Sequence, residues 1–339
     1  MKFKKIAALS TAVIMSASML VGCGNNKSKE NTDKSFKIGM VADIGGINDE
    51  SFNQSAWEGL QKAEKDFGIE VKVIESKQAS EYLQNMESLL DEDVDMVIGV
   101  GYTMKEDIEK QAKNYPDKQF VLIDETYDSI PENVTPILFR ENEAAYLTGL
   151  VAGKMTENNN VGFIGGIQTP VISRFEYGYK AGVKEANKDC NVNVQYAGTF
   201  SDAAKGKSIA NQMYGNGSDI ILAAAGGTGL GSIESAKEQN KYAIGVDRDQ
   251  SDLAPKNVLT SALKKVNVGV YDTVKEFVEG KLKGGQEKVY GLKEDGVGIP
   301  ETTKNLVPQD IIDYVNSMIE KIKNDEIKVP VNEEEYKSM

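Results

Sequence analysis

The 339-residue chain contains no histidine at all. That removes the side chain most used for acid–base work near neutral pH, and with it a Ser-His-Asp triad and the usual zinc sites. Cysteine is nearly missing too: Cys23 and Cys190 are the only two. Positive charge is in deficit, with 39 Lys and Arg against 52 Asp and Glu and a net charge of −13. A nucleic-acid binder needs the opposite, a basic footprint, so no nucleic-acid partner is expected. A long apolar run is lacking as well. Ile6–Val21 is uncharged and largely apolar, but it falls short of the roughly 20 residues that a membrane-spanning helix needs.

What is present begins with Lys2, Lys4 and Lys5, then that short apolar run, then Leu20-Val21-Gly22-Cys23. A charged start, a short apolar core and a small-residue exit read as a secretory signal. The exit resembles the bacterial lipobox, which implies that residues 1–22 are a signal peptide and that Cys23 is acylated and becomes the new N-terminus. Cys190 then has no partner for an internal disulfide. Residues 23–36 are polar, without periodicity, and read as a flexible tether. The expected location is the cell membrane, lipid-anchored, on the extracytoplasmic face.

From Phe36 onward, short β-branched runs ("FKIGMVAD", "VDMVIGVG", "KQFVLID") alternate with amphipathic stretches of helix length. The apolar positions Phe52, Trp57, Leu60 and Ala63 recur at helical spacing. Such alternation predicts parallel, doubly wound sheets. The organisation of residues 37–140 is repeated in 159–262, so the chain reads as two Rossmann-like α/β lobes. A helix over 141–156 would carry the chain across. A late strand pair in "KVYGLKEDGVGI", a helix over 308–323 and a frayed tail over 329–339 would complete the fold.

In open α/β sheets, ligands bind beyond the carboxyl ends of the strands. Those ends carry a distinctive set. After the first strand stands Asp43-Ile44-Gly45-Gly46-Ile47-Asn48-Asp49-Glu50-Ser51-Phe52-Asn53, with Asp49 or Ser51 suited to capping the next helix. Asp124 follows the fourth strand, and Phe175 comes early in a helix after a Gly-rich loop. Gly226, Gly227, Asp247 and Lys264 mark later strand ends. Two aromatics at equivalent places in opposed lobes suit a flat ring, and Asp43, Asp124 and Asp247 suit hydroxyl donors.

The strings "VADIGGINDESFNQSAWEGL", "VGFIGGIQTPVISRFEYGYKAG", "AAAGGTGLG", "IGVDRDQ" and "LTSALKKV" resemble the basic membrane protein family, in its purine nucleoside receptor A branch. These are substrate-binding lipoproteins of ABC importers. The resemblance implies a type I periplasmic-binding-protein fold, with parallel sheets in two lobes joined by a hinge. The lobes would be 37–141 plus about 264–285, and about 142–263 plus 286–328. It implies that Phe52 and Phe175 sandwich a purine base, with Asp43 and Asn53 beside it. Asp124, Gly226 or Gly227, Asp247 and Lys264 would hold the ribose and the nearby rim. Asn48 stands where many members carry Asp. The implied partners are a purine nucleoside, a permease and an ATPase. A monomer is the family default, and no catalysis, cofactor or metal is expected.

Other readings use the same residues. "DIILAAAGGTGLG" is a strand running into a Gly-rich turn, but G-x-G-x-x-G fails at Ser232 or Glu234. Ser261-x-x-Lys264 matches part of the penicillin-binding pattern, whose S-D-N and K-T-G strings do not occur. The same fold could instead hold a sugar or another small polar ligand, since fold alone does not fix the ligand. A surface adhesin or sensor also fits a lipid anchor.

Overall fold

The computed structural model describes residues 36–339, so the signal, the lipobox Cys23 and nearly all of the tether lie outside the described residues. The first half comprises β1 (Lys37–Ala42), α1 (Phe52–Phe67), β2 (Glu70–Glu75), α2 (Tyr82–Asp91), β3 (Met96–Val100), α3 (Lys105–Asn114), β4 (Gln119–Ile123) and β5 (Val134–Phe139). There follow α4 (Glu141–Met155), β6 (Asn160–Gly165), α5 (Pro170–Ala186), β7 (Asn191–Tyr196), α6 (Ala203–Gly215), β8 (Ile220–Ala224), α7 (Gly227–Gln239), β9 (Tyr242–Asp247) and β10 (Val258–Lys264). Last come α8 (Val266–Val278), β11 (Lys288–Tyr290), β12 (Val297–Gly298), α9 (Gln309–Lys323) and α10 (Glu333–Lys337).

Two sheets result, in the orders β11-β5-β4-β3-β1-β2 and β12-β10-β9-β8-β6-β7. The strand pairings are parallel except for β12, which runs antiparallel to β10. Composition sorts the strands. "MVIGV" in β3 and "IILAA" in β8 are buried at every residue, as central parallel strands covered on both faces must be. "EVKVIE" in β2 and "NVNVQY" in β7 carry polar residues and lie at the edges, and in β2 the charges of Glu70, Lys72 and Glu75 guard against further pairing. In each sheet the order reverses beside the first strand, which creates equivalent crevices at the ends of β1 and β3 and of β6 and β8.

Two helices link the sheets. α4 leaves β5 of the first sheet and packs on α5 and β10 of the second. It is buried along nearly its whole length and locked backbone to backbone. A Cβ at Gly182 would lie 2.0 Å from the Tyr146 carbonyl oxygen, and one at Gly149 would lie 2.3 Å from that of Tyr179. α8 leaves β10 and packs on α1 of the first half.

Two expectations fail here. The late strands do not pair with each other: β11 joins the first sheet beside β5, and β12 joins the second beside β10. The chain therefore makes its last crossing after Tyr290, not near 285, because the apolar edge of Val289-Tyr290 finds Leu138-Phe139 before the chain turns back. The C-terminus does not fray either. Asn142 Nδ2 donates to the Val329 carbonyl at 2.9 Å, Asn332 caps α10 by accepting from Glu335 N at 2.9 Å, and Tyr336 packs against Tyr177.

Candidate ligand-binding site

The strand ends of both sheets converge on one cleft of about 660 Å³, counted to its open mouth. All nine residues singled out from the sequence line it: Asp43, Phe52, Asn53, Asp124, Phe175, Gly226, Gly227, Asp247 and Lys264. Asn48 is exposed and lies outside the lining.

The loop after β1 is built around two carboxylates. Asp49 caps α1, accepting from the backbone N–H groups of Ser51, Asn53 and Gln54 at 2.9, 2.9 and 3.1 Å. Asp43 Oδ1 accepts from Gly45 N and Asn53 Nδ2, both at 2.8 Å. Asn53 Nδ2 also donates to Asp49 Oδ2 at 2.9 Å, and Asn53 Oδ1 accepts from Asp43 N at 3.0 Å. Both amide hydrogens of Asn53 are therefore taken by carboxylates, and only carbonyl lone-pair capacity is left for a ligand. Asn53 is above all the brace of Asp43. Burial pushes the Asp43 carboxyl above its ordinary pKa, against the pull of the Gly45 and Asn53 donors.

Lys264, at the end of β10, is almost wholly buried among acids. Its Nζ donates to Asp124 Oδ2 at 2.5 Å and lies 3.2 Å from Glu141 Oε1. It also sits 4.8 Å from the centre of the Phe52 ring. Burial opposes its charge, but Asp124, Glu141 and Asp247 outweigh that and hold the ammonium above its ordinary pKa. Asp124 Oδ1 is buried and, among the described residues, has no hydrogen-bond partner. Asp247 is pushed up to about 6 by burial, opposed by Lys264, and accepts a short hydrogen bond from the Ser51 hydroxyl.

The mouth is bridged from one half to the other. Arg248 reaches Glu50 and Glu58, each at 2.8 Å, and Gln250 Nε2 donates to the Glu50 carbonyl at 2.8 Å. Glu50 and Asp247 both have left-handed backbone, φ 52° and 65°. Such conformations in non-glycine residues cost of order 1–3 kcal/mol and cluster at functional sites.

The rival chemistries find no support in this geometry. α7 begins at Gly227, but the N–H groups of Thr228 and Gly229 bond to the carbonyls of Phe200 and Gly226, so they do not cradle a phosphate. Ser261 and Lys264 lie in one strand three residues apart, which puts them on opposite faces.

A family model described as "ABC transporter substrate-binding protein PnrA-like", the Bmp family, matches residues 36–333. The chain belongs to this family. Among Bmp relatives, a "CD4+ T-cell-stimulating antigen" of Listeria monocytogenes is 39% identical over 354 residues, covering 96% of this chain and 99% of its own. The "ABC transporter nucleoside-binding protein BmpA" of Lactococcus lactis is 38% identical over 320 residues, covering 87% and 91%. A crystal structure of an ABC transporter solute-binding protein from Aeropyrum pernix K1 superposes with a TM-score of 0.82 at 27% identity, covering 89% of this chain and 96% of that one. A glucose-galactose binding protein of Geobacillus stearothermophilus, at 14% identity and a TM-score of 0.56, shares the fold alone. This Bmp chain is thus a substrate-binding protein of the ABC-transporter type, a class that works outside the cytoplasm. Among the described residues no helix is long and apolar enough to cross a membrane.

Four contributors escaped the sequence reading. Tyr102 and Phe200 line the cleft at the ends of β3 and β7, where the strand-end rule points, and applying it to every strand finds both. Glu141 and Arg174 sit behind Lys264, outside the lining, and neither residue type nor spacing marks them.

Proposed function

We propose that this protein is the receptor of an ABC importer and that its cleft captures a purine nucleoside. The observation that carries the reading is the buried, unpartnered Asp124 Oδ1 beside the ammonium of Lys264, in a cleft that Phe52 also lines. A ligand hydroxyl can donate to the carboxylate and accept from the ammonium at once. Asp247 adds an acceptor for a second hydroxyl. Phe52 on one side, with Phe175 and Phe200 on the other half, offers apolar surface for a flat base. Asp43 accepts from a ring N–H. A ligand that carries both hydroxyls and an aromatic ring satisfies this lining, and a nucleoside is such a molecule. The name of the Lactococcus relative points the same way.

Lobe closure over the ligand would be the signal to permease and ATPase. Acylated Cys23 would hold the receptor at the extracytoplasmic membrane face; two or more chains are needed there, because one acyl chain binds only marginally. Cys23→Ser should move the protein from the membrane fraction to the medium. The ligand reading is tested by thermal shift on protein stripped by unfolding and refolding, with inosine, guanosine, adenosine, cytidine, adenine, ribose and glucose. A ligand at about 100 times its Kd adds about 2.7 kcal/mol, a shift of several degrees. Stabilisation by purine nucleosides and not by adenine or ribose alone is the expected result. Stabilisation by glucose and by no nucleoside would overturn it.

A further inference from the structure

Glu141 is the first residue of α4, fully buried, at the point where the chain first crosses between the sheets. It does not line the cleft. A carboxylate in that position is costly unless it is paired. Its Oε2 accepts from Arg174 Nε at 2.6 Å, and its Oε1 lies 3.4 Å from Arg174 Nη2 and 3.2 Å from Lys264 Nζ. Burial works against its ionisation, but Lys264 and Arg174 outweigh that and hold the carboxyl below its ordinary pKa. Lys264 itself ends β10, where the chain crosses back. Asp124, Glu141, Lys264 and the half-buried Arg174 therefore form a cluster of two acids and two bases where the chain crosses between the sheets.

An ammonium has three donors. Asp124 Oδ2 takes one, Glu141 Oε1 pairs with the charge at 3.2 Å, and donor capacity is left for the cleft that Lys264 lines. We propose that Glu141, itself gripped by Arg174, is the positioning residue for Lys264, fixing the ammonium so that its remaining N–H meets a ligand hydroxyl beside Asp124 Oδ1. The inference rests on the nucleoside reading for its choice of ligand, but not for the geometry of the cluster. Without Glu141 the four-carbon stem is free to swing toward Asp247. Arg174 matters because its planar fork takes both oxygens of Glu141 and so fixes the carboxylate plane.

Glu141→Gln tests this with little change of shape. A carboxylate accepts from Arg174 and pairs with the Lys264 charge, whereas an amide is neutral and turns an NH₂ toward one of the two cations. Titration calorimetry would compare inosine with 2′,3′-dideoxyinosine on the native protein, Glu141→Gln, Lys264→Met, the double variant and Arg174→Lys. The expected result is a loss of about ten- to a hundred-fold for inosine in Glu141→Gln, the range of one charged hydrogen bond. Dideoxyinosine binding should hardly change, and Glu141→Gln should add almost nothing in the Lys264→Met background. Arg174→Lys, which keeps the charge and loses the fork, should show the same ligand-selective pattern more weakly; it also serves if Glu141→Gln does not fold. Equal losses for both ligands, or additive losses in the double variant, would overturn the proposal and leave Glu141 a structural residue. A ligand-free readout separates this failure from failure of the nucleoside reading. The ¹⁵Nζ resonance of Lys264 should be protected from exchange in the native protein and lose that protection in Glu141→Gln or Arg174→Lys. Unchanged protection would overturn the positioning role whatever the ligand.

Discussion

Lowering the pH should weaken ligand binding through Asp247. In the ligand-free protein burial holds this carboxyl at about 6, above its ordinary 3.8. Ligand hydroxyls donate to the ionised form, so the complex draws the pKa back down. Affinity is therefore fully present well above pH 6 and is lost as the pH falls through it. With one proton to remove before binding, the loss between about pH 7.5 and about pH 5 is roughly tenfold, the protonated fraction that a pKa of about 6 dictates. Stability of the free protein moves the other way. A carboxyl whose folded pKa lies above its unfolded value favours folding at low pH, and that contribution disappears as pH rises through the folded pKa. The shift corresponds to about 3 kcal/mol at 1.36 kcal/mol per unit. Calorimetric titration with inosine across the range, repeated on Asp247→Asn, isolates the term. Asp43 also lines the cleft and is raised by burial; whatever it contributes persists in the variant. A native affinity that is flat from about pH 7.5 to about pH 5, or one that falls as steeply in Asp247→Asn, would refute the assignment.

Phe52→Ala should weaken nucleoside binding by at least tenfold with little effect on stability, since the ring is only partly buried; equilibrium titration and melting separate the two effects. Phe175 is 3% exposed and part of the core, so Phe175→Ala should also cost about 3–5 kcal/mol of folding free energy in denaturant titration, and a binding loss without that cost would contradict its core placement. Arg248→Ala should speed ligand dissociation several-fold in stopped flow while leaving the rank order of ligands unchanged, because Arg248, Glu50 and Glu58 bridge the mouth without lining the cleft; the native rate should rise with salt, and the variant's should not. Gly182→Ala should unfold the protein or lower its melting temperature steeply, since the added carbon meets the Tyr146 carbonyl at 2.0 Å with both backbones fixed.

Much of the site was legible because parallel sheets place chemistry at strand carboxyl ends, so locating the strands locates the candidates. Asp43, Asp124, Asp247 and Lys264 were found that way, and the apolar strands that precede them are unmistakable. Asn53 was legible as a cleft residue but not as the brace of Asp43, since its amide geometry depends on how the loop closes. Glu141 could not be read as buried. An acid in the first turn of a helix usually means a solvated group favoured by the helix dipole, and only the convergence of Arg174 and Lys264 from distant segments makes burial tolerable. The same limit applies to β11 and β12, where the short strands carry too little pattern to declare which sheet they join. The docking of the C-terminus depends on Asn142, whose contact with Val329 spans most of the second half of the chain.

The most direct test of the account is a crystal structure of the protein with inosine. It should show the base between Phe52 and the wall formed by Phe175 and Phe200. The ribose hydroxyls should lie within hydrogen-bond distance of Asp124 Oδ1, Lys264 Nζ and Asp247. Inosine bound outside this cleft, or turned so that its ribose hydroxyls lie out of reach of Asp124, Lys264 and Asp247, would contradict it.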